Sequence, residues 1–177
     1  MSNQSRIETL KAAIRDVPDF PKPGIVFKDI TTLLKDRVLF REATDLLADL
    51  CRGGAVDKVV AIESRGFILG SLMADRLGVG FVPVRKPGKL PARTIRGTYA
   101  LEYGTDALEM HEDALSAGEK VLIVDDVIAT GGTARAVGEL TEKLGATVSA
   151  YVFLVELSFL NGRGKLGRYD VRSLIRY

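Results

Sequence analysis

Two adjacent aspartates, Asp125 and Asp126, stand just before a run of threonines and glycines in the stretch VLIVDDVIATGGTA, which covers residues 121–134. The apolar residues in front of the acids predict a strand, and residues 133–144 predict a helix. A loop between a strand and a helix can bind phosphate, because free N–H groups and the positive end of the helix dipole point at the ligand. The residues expected to surround a phosphate here are Ala129, Thr130, Gly131, Gly132 and Thr133.

The two aspartates need an explanation of their own, because carboxylates repel phosphate. At the carboxyl end of a central strand they lie over the crevice in which open α/β sheets bind ligands. There they can accept hydrogen bonds from sugar hydroxyls, so the pattern predicts a sugar phosphate as the ligand. The G-x-x-x-x-G-K-[ST] pattern is absent, and the loop glycines are not spaced G-x-G-x-x-G, which argues against a P-loop NTPase and a dinucleotide-binding domain. The alternative is a strand end with solvated acids beside an ordinary glycine turn.

Four apolar runs that do not alternate in polarity predict strands covered on both faces, as in a parallel sheet. They are residues 58–64, 79–86, 120–126 and 147–157. Helical patterns at 66–77 and 133–144 lie between them. This rhythm predicts an α/β fold with an open, mainly parallel central sheet flanked by helices and joined by right-handed crossovers.

Three further elements are expected outside this repeating pattern. A helix is predicted at 5–16, where Ser5 and Glu8 have the spacing of a capping box. Another is predicted at 37–51, with a buried apolar stripe formed by Leu39, Ala43, Leu46, Leu47 and Leu50. The segment TYALEYGTDALEMHED alternates in polarity like a β-hairpin that turns at Gly104. It belongs to a section longer than a simple connection requires, and such insertions usually form lids or binding loops.

Composition narrows the class of protein. A chain of 177 residues predicts one domain, 1–177, and a net charge of +2 gives no strong attraction to nucleic acid. No apolar run approaches the roughly 20 residues that cross a bilayer. The single Cys51 excludes a disulfide within the chain, fits a reducing cytoplasm and is expected to be a buried structural thiol. With His111 as the one histidine, any metal should be a hard cation on oxygen ligands.

The stretch VLIVDDVIATGGTA resembles the phosphoribosyl-diphosphate signature of the type I phosphoribosyltransferases, in the form found in members that use adenine. Five other stretches, spread in order from residue 18 to residue 157, resemble the same family: PDFPKPGIVFKDIT, ESRGF, RKPGKLP, YALEYG and LVEL. The resemblance implies transfer of the phosphoribosyl group of 5-phosphoribosyl 1-diphosphate to N9 of adenine. The products would be AMP and pyrophosphate, and the role would be purine salvage.

The same resemblance implies roles for the acids and the loops. Asp125 and Asp126 would hold the ribose 2′ and 3′ hydroxyls, and residues 129–133 would hold the 5′-phosphate. Ser64 and Arg65 would contact the pyrophosphate, for which the planar guanidinium of arginine is well suited. Mg²⁺ would enter with phosphoribosyl diphosphate, held mainly by substrate oxygens and water, so no direct protein ligand is expected.

A basic segment, RKPGKLPARTIRG, begins at the end of the second predicted strand. Its cations, with no acid until Glu102, are Arg85, Lys86, Lys89, Arg93 and Arg96. Taken alone, this pattern suits a solvated loop, a weak nucleic-acid patch or a phosphate clamp. The resemblance implies a flexible loop and hairpin at roughly 86–112 that closes over the diphosphate, together with a hood from roughly 18–34. It makes Glu102 a general acid or base near the purine N7, and Tyr103 a residue that orders the hood.

By the same resemblance, the adenine pocket would come from GIVFKD. Val26 would read adenine through its backbone, Phe27 would stack on the ring, and Lys28 stands where some relatives carry arginine. The alternative for Phe27 is an ordinary core aromatic. A homodimer is the usual state of the family, and the Pro-rich N-terminal section is a candidate for its interface.

Two rival functions stay open at this point. One is a phosphoribosyltransferase for xanthine, hypoxanthine/guanine or orotate. The other is a regulator that senses phosphoribosyl diphosphate without catalysis. Such regulators usually add a DNA-binding domain, for which the roughly 20 residues before the first motif are too few.

Overall fold

A computed structural model describes residues 2–101 and 104–177, so the predicted site residues Glu102 and Tyr103 lie outside the described residues. The chain forms two compact units that divide between Leu46 and Leu47. The sequence expectation of a single domain, with a hood and a flexible loop, stays a prediction.

The first unit begins with helix α1 (Asn3–Ala13), which is shorter than the predicted helix at 5–16. The capping box expected at Ser5 and Glu8 is wrong: Ser2 is the N-cap, and its hydroxyl oxygen accepts a hydrogen bond from the Ser5 N–H at 3.3 Å. The helix ends early because strand β1 (Arg15–Pro18) pairs with strand β2 (Val26–Asp29) as an antiparallel hairpin that the sequence did not predict.

Two helices follow this hairpin. Helix α2 (Thr31–Leu34) is a single turn, and helix α3 (Arg37–Leu50) agrees with the helix predicted at 37–51. The predicted apolar stripe of α3 is largely correct, with Ala43, Leu46 and Leu47 buried. Leu50, which was expected in the same stripe, is 38% exposed at the last turn.

The second unit contains a five-stranded, wholly parallel sheet, so the predicted α/β fold is confirmed. Its elements, in chain order, are β3 (Lys58–Ile62), α4 (Arg65–Leu77), β4 (Gly80–Val84), the hairpin strands β5 (Thr94–Leu101) and β6 (Gly104–His111), β7 (Lys120–Ile128), α5 (Gly132–Lys143), β8 (Thr147–Glu156), the short helix α6 (Gly162–Lys165) and β9 (Val171–Arg176). Four of the five sheet strands match the predicted runs. The fifth, β9, was missed.

The order of the sheet strands, β4-β3-β7-β8-β9, decides where a ligand can bind. From β3 the chain passes through α4 to β4 on one side, and β7 lies against β3 on the other side. The carboxyl ends of β3 and β7 therefore flank the point where strand order reverses, the usual position of a ligand crevice in an open α/β sheet. Both strands are rigidly held, since Val59–Ile62 and Val121–Val124 are almost completely buried.

The hairpin predicted around Gly104 is confirmed as the antiparallel pair β5–β6. Leu101 pairs with Gly104, so this glycine begins the second strand and is not itself the turn residue. An isolated bridge joins Arg85, just after β4, to Glu109 in β6. The hairpin is thereby fixed to the end of a sheet strand.

Cys51 is 2% exposed, and burial raises the pKa of its thiol to about 11, as expected for a structural cysteine. Within residues 2–101 and 104–177, no helix combines the length and apolar character needed to cross a membrane.

Gly70 lies in the middle of α4, where the helix packs directly on β3. A Cβ atom built on Gly70 would lie 2.5 Å from the Cβ atom of Ala61, which cannot move without its strand. We expect Gly70→Ala to lower the free energy of unfolding by about 1–3 kcal/mol, the usual range for overpacking, despite the better helix propensity of alanine. Equilibrium urea unfolding measures the change. Ser71→Ala, at the exposed neighbouring residue, is the control. It should change that free energy by less than about 0.5 kcal/mol, and an equally small change for Gly70→Ala would contradict the close contact.

Candidate active site

The predicted phosphate loop lies between the end of β7 at Ile128 and the start of α5 at Gly132. Gly131 is the N-cap of α5 and has a φ of +78°, a conformation that favours glycine. Because the N-cap has no side chain, the first-turn N–H groups of α5 are not capped by one. The strand-loop-helix arrangement inferred from the sequence is therefore present, with the geometry that suits an anion.

A second backbone segment lies directly against this loop. A Cβ atom on Gly131 would overlap the carbonyl oxygen of Gly162, and one on Gly162 would overlap the carbonyl oxygen of Ala129. The two segments are thus in backbone-to-backbone contact, with no side chain between them. Gly162, at the start of α6, was not singled out by sequence analysis.

Arg65 and Asp126 meet across the switch point of the sheet. Arg65 is the first residue of α4, and its Nε donates a hydrogen bond to Oδ2 of Asp126, forming an ion pair. The Asp126 side chain is 6% exposed and that of Arg65 is 44% exposed. The structure therefore brings together a predicted pyrophosphate residue and a predicted ribose residue that are 61 positions apart in sequence.

The side chain of Asp125 is hydrogen-bonded to the backbone of the next residue, Asp126. Its Oδ1 accepts a hydrogen bond from the Asp126 N–H at 2.8 Å. Burial, together with the adjacent carboxylate of Asp126, raises the pKa of Asp125 well above its usual range. A ligand that offers hydroxyl donors would favour the ionised form of Asp125, because hydrogen bonds to a carboxylate stabilise its charge.

Glu63 is hydrogen-bonded to three residues of the basic segment. Its carboxylate accepts hydrogen bonds from Nε of Arg85 at 3.1 Å, from the Lys86 N–H at 3.1 Å, and from Nζ of Lys89. Burial acts to raise the pKa of Glu63, but the hydrogen bonds from Lys89, Lys86 and Arg85 outweigh it and hold the pKa below its usual value. Glu63 was missed as a site residue, although it stands immediately before the predicted Ser64 and Arg65.

The side chain of Lys86 takes a different partner. Its Nζ donates to Oδ2 of Asp106 at 3.0 Å, and the Tyr99 hydroxyl donates to the same oxygen at 3.3 Å. Polar contacts therefore connect the β5–β6 hairpin to a predicted diphosphate cation.

The three predicted adenine-binding residues lie in the first unit, on or beside the β1–β2 hairpin. Val26 is 46% exposed, and half-buried Phe27 contacts Phe20 edge-to-face at a centroid distance of 5.3 Å. Nζ of Lys28 donates to Oδ1 of Asp16 at 2.6 Å, and the two residues face each other in the strand register. The charge of Lys28 is thus partly balanced within the hairpin.

Comparison with known proteins identifies the family. The model of the phosphoribosyl transferase domain matches residues 29–169 of the chain. Adenine phosphoribosyltransferase of Thermotoga neapolitana is 62% identical over 168 residues, covering 95% of this chain and 99% of that protein. The crystal structure of adenine phosphoribosyltransferase from Thermoanaerobacter pseudethanolicus has a TM-score of 0.95 at 54% identity, covering 97% of this chain and 99% of that one. This chain belongs to the adenine phosphoribosyltransferase family.

A more distant member of the adenine phosphoribosyltransferase family has been solved with ligands. The Saccharomyces cerevisiae enzyme, complexed with D-2,5-dideoxy-2,5-imino-altritol 1,6-bisphosphate and adenine, has a TM-score of 0.91 at 44% identity, covering 97% of this chain and 99% of that one. Family membership confirms the resemblance read from the sequence motifs. The roles of individual residues stay predictions, and those of Glu102 and Tyr103 fall outside the described residues.

The family resemblance implies that Mg²⁺ is held mainly by substrate oxygens and water. In the part of the chain that the structure describes, no group of three or more histidine, cysteine, aspartate or glutamate side chains is placed to hold a metal ion. The two carboxylates that precede the phosphate loop in β7 are Asp125 and Asp126, and Asp126 already pairs with Arg65. This donor set suits ribose hydroxyls and metal-bound water better than a closed metal cage.

Proposed function

We propose that this chain transfers the phosphoribosyl group of 5-phosphoribosyl 1-diphosphate to N9 of adenine, releasing AMP and pyrophosphate. The observation that carries the proposal is the meeting of the phosphate loop, the two aspartates and Arg65 at the switch point of the sheet. Relatives of nearly equal length are adenine phosphoribosyltransferases. The yeast relative binds adenine together with a bisphosphate of an imino sugar, which has the polar groups expected of a ligand for such a site.

The proposed reaction replaces one bond at C1′ of the ribose with another. N9 of adenine supplies the electron pair for the new bond, and the C1′–oxygen bond to diphosphate breaks with its electrons leaving on pyrophosphate. Positive charge develops on the ribose and negative charge on the departing group. Arg65 and the N-terminus of α4 lie at one strand end of the switch point and are assigned to the departing charge.

The remaining residues hold the two substrates in line. Asp125 and Asp126 are assigned to the ribose hydroxyls, and residues 129–133 to the 5′-phosphate. Val26, Phe27 and Lys28 are assigned to adenine, and Glu102 to the transfer of the proton that the base loses. Holding the reacting atoms in alignment is worth several kcal/mol of activation free energy in general.

Mg²⁺ is proposed to accompany phosphoribosyl diphosphate, where it would neutralise part of the charge of the leaving group. Hydrated Mg²⁺ keeps several waters and prefers oxygen ligands, which fits a site whose carboxylates are Asp125 and Asp126. The side chains of Arg85, Lys86 and Lys89 would supply further positive charge if they exchanged their carboxylate partners for the diphosphate.

A cytoplasmic location and a homodimer are also proposed. The one cysteine is a free, buried thiol, which suits a reducing compartment. The first unit exposes the apolar side chains of Phe20 and Ile25, 51% and 43% exposed, within the Pro-rich section that is the candidate dimer surface. Sedimentation at the mass of one 19.2 kDa chain at working concentration would refute the dimer.

The activity is tested by supplying Mg²⁺, phosphoribosyl diphosphate and one base at a time, and measuring pyrophosphate release. We expect release with adenine to exceed release with hypoxanthine, guanine, xanthine or orotate by at least about 10³-fold. Such discrimination is typical when the wrong base leaves buried polar groups unpaired. Release with a different base would assign another phosphoribosyltransferase activity. Binding of phosphoribosyl diphosphate with no release of pyrophosphate in the presence of any base would favour a regulator that senses phosphoribosyl diphosphate.

A further inference from the structure

Arg163 follows Gly162, which contacts the phosphate loop, and forms an ion pair with Glu156 in which the arginine side chain is 36% exposed. Glu156 ends β8 and pairs in register with Ile128, the residue just before the loop. The Leu157 N–H also donates to the carbonyl oxygen of Ile128 at 3.0 Å. The backbone of Glu156 is therefore held against the start of the phosphate loop, and its side chain is 8% exposed.

Arg163 joins the end of β8 to the start of β9 through its guanidinium. Its Nε and NH2 donate to the two oxygens of Glu156 at 3.0 and 2.6 Å, and its NH1 donates to the carbonyl oxygen of Val171 at the start of β9. The hydrogen bonds from Arg163 lower the pKa of Glu156 to about 2, so the pair is ionised at neutral pH. Bidentate arginine–carboxylate pairs fix geometry as well as charge.

The residue next to Arg163 is the one that contacts the loop. Gly162 packs its backbone against Ala129 and Gly131 so tightly that neither glycine tolerates a Cβ atom. Arg163 itself does not belong to the loop, and its guanidinium is directed to Glu156 and Val171. A change at Arg163 would therefore reach the phosphate indirectly, through Gly162 or through Glu156 and its strand partner Ile128.

We propose that Arg163 is a positioning residue for the 5′-phosphate. By binding Glu156 and Val171 it holds Gly162 against the loop and keeps the N–H groups of residues 129–133 in the arrangement that receives phosphate. The assignment rests on the proposed function for the identity of the ligand. We expect Arg163 to affect phosphate binding at residues 129–133 and not diphosphate binding at Ser64 and Arg65.

The test compares two ligands that occupy different halves of the site. Calorimetric titration with ribose 5-phosphate reports on the phosphate loop, and titration with pyrophosphate and Mg²⁺ reports on the leaving-group half. For Arg163→Met we expect at least about tenfold weaker binding of ribose 5-phosphate and less than about twofold change for pyrophosphate. Arg163→Lys, which can hold Glu156 with a single ammonium, should recover part of the loss.

Arg168→Met is the matched control, because Arg168 is an exposed arginine five residues further along that pairs with Glu142. It should bind both ligands as the unchanged chain does. Gly162→Ala tests the contact itself while keeping Arg163, and it replaces Arg163→Met if that variant does not fold. It should show the same selective loss.

Three results would overturn the assignment. One is unchanged ribose 5-phosphate binding in both Arg163→Met and Gly162→Ala. Another is equal loss of both ligands in variants that remain folded, which would indicate general loosening. The third is failure of both variants to fold, which would make Arg163 and Gly162 determinants of the fold. If Arg163→Met weakens only ribose 5-phosphate binding in a chain that releases no pyrophosphate with any base, the proposed function fails and the positioning role stands.

Discussion

Replacing Asp125 and Asp126 together by asparagine is expected to weaken the binding of phosphoribosyl diphosphate by roughly 10²–10⁴-fold. A hydrogen bond to a charged group contributes about 1.5–3 kcal/mol, and two such bonds to ribose hydroxyls would be weakened together. Each 1.4 kcal/mol corresponds to about a tenfold change in affinity. Titration calorimetry with phosphoribosyl diphosphate and Mg²⁺ measures the loss directly.

The double variant should lose affinity without losing its fold. Asp125 has a raised pKa, so the folded chain keeps its proton to higher pH than the unfolded chain does. The stability that this group contributes is present at low pH and is lost as the pH rises through its folded pKa, so the ionised Asp125 opposes folding. Asparagine removes that opposition. Loss of the Asp126–Arg65 pair offsets it only slightly, because the Arg65 side chain is 44% exposed and solvent screens the interaction.

Pyrophosphate binding separates the ribose role from a general loss of the site. We expect pyrophosphate titrated without Mg²⁺ to bind the double variant as well as it binds the unchanged chain, since it then carries neither ribose nor metal-bound water for the two carboxylates. Asp75→Asn, at an exposed position in α4, controls for the loss of a surface carboxylate. Normal binding of phosphoribosyl diphosphate by the double variant would show that the two aspartates do not hold the sugar.

The sheet and its phosphate loop could be predicted because their signals are local. Strands buried on both faces, such as β7 and β8, are continuous apolar runs, and the loop that follows β7 carries its threonines and glycines within five residues. Strand β9 was missed because its sequence, VRSLIR, contains two arginines. It is an edge strand of the sheet, where charged side chains can reach solvent or partners such as Glu156.

The polar contacts of the site depend on tertiary structure and were not predictable in the same way. Arg65 and Asp126 were both identified, but their pairing joins residues 61 positions apart. Glu63 and its partner Lys89 are 26 positions apart, and nothing local marks this glutamate as the acid that holds the cation. Family resemblance named the residues that would touch the ligand. The residues that hold those residues in place became visible only in the fold.

The pairing of Glu63 with the basic segment also changes how that segment is understood. From the sequence, Arg85, Lys86 and Lys89 form an uncompensated cluster of positive charge. In the structure, a carboxylate holds each of these three side chains, through Glu63 or Asp106. A diphosphate must therefore displace or share these partners. Arg65 is also ion-paired, to Asp126, but as the first residue of α4 it already stands at the switch point of the sheet. Arg65 is for this reason expected to contribute most of the fixed positive charge at the leaving group.

Arg65→Met is accordingly expected to lower kcat by about 10²–10³-fold, the effect usually seen when one preorganised donor to a developing negative charge is removed. The departing pyrophosphate would lose a guanidinium donor, and Asp126 would lose its ion-pair partner and add repulsion. Arg65→Lys keeps the charge but loses the planar fork of the guanidinium, so its kcat should lie between those of the unchanged chain and Arg65→Met. Steady-state kinetics of pyrophosphate release, with saturating adenine, measures these rates.

Arg76→Met is the control, since Arg76 lies in the last turn of the same helix and should leave kcat within about twofold of the unchanged chain. Because the leaving group is fully charged only as its bond to C1′ breaks, the loss should be larger in kcat than in the KM for phosphoribosyl diphosphate. A variant with normal kcat and a raised KM would assign Arg65 to ground-state binding alone. The stabilisation of departing charge would then have to come from the cations that Glu63 and Asp106 hold, released on substrate binding.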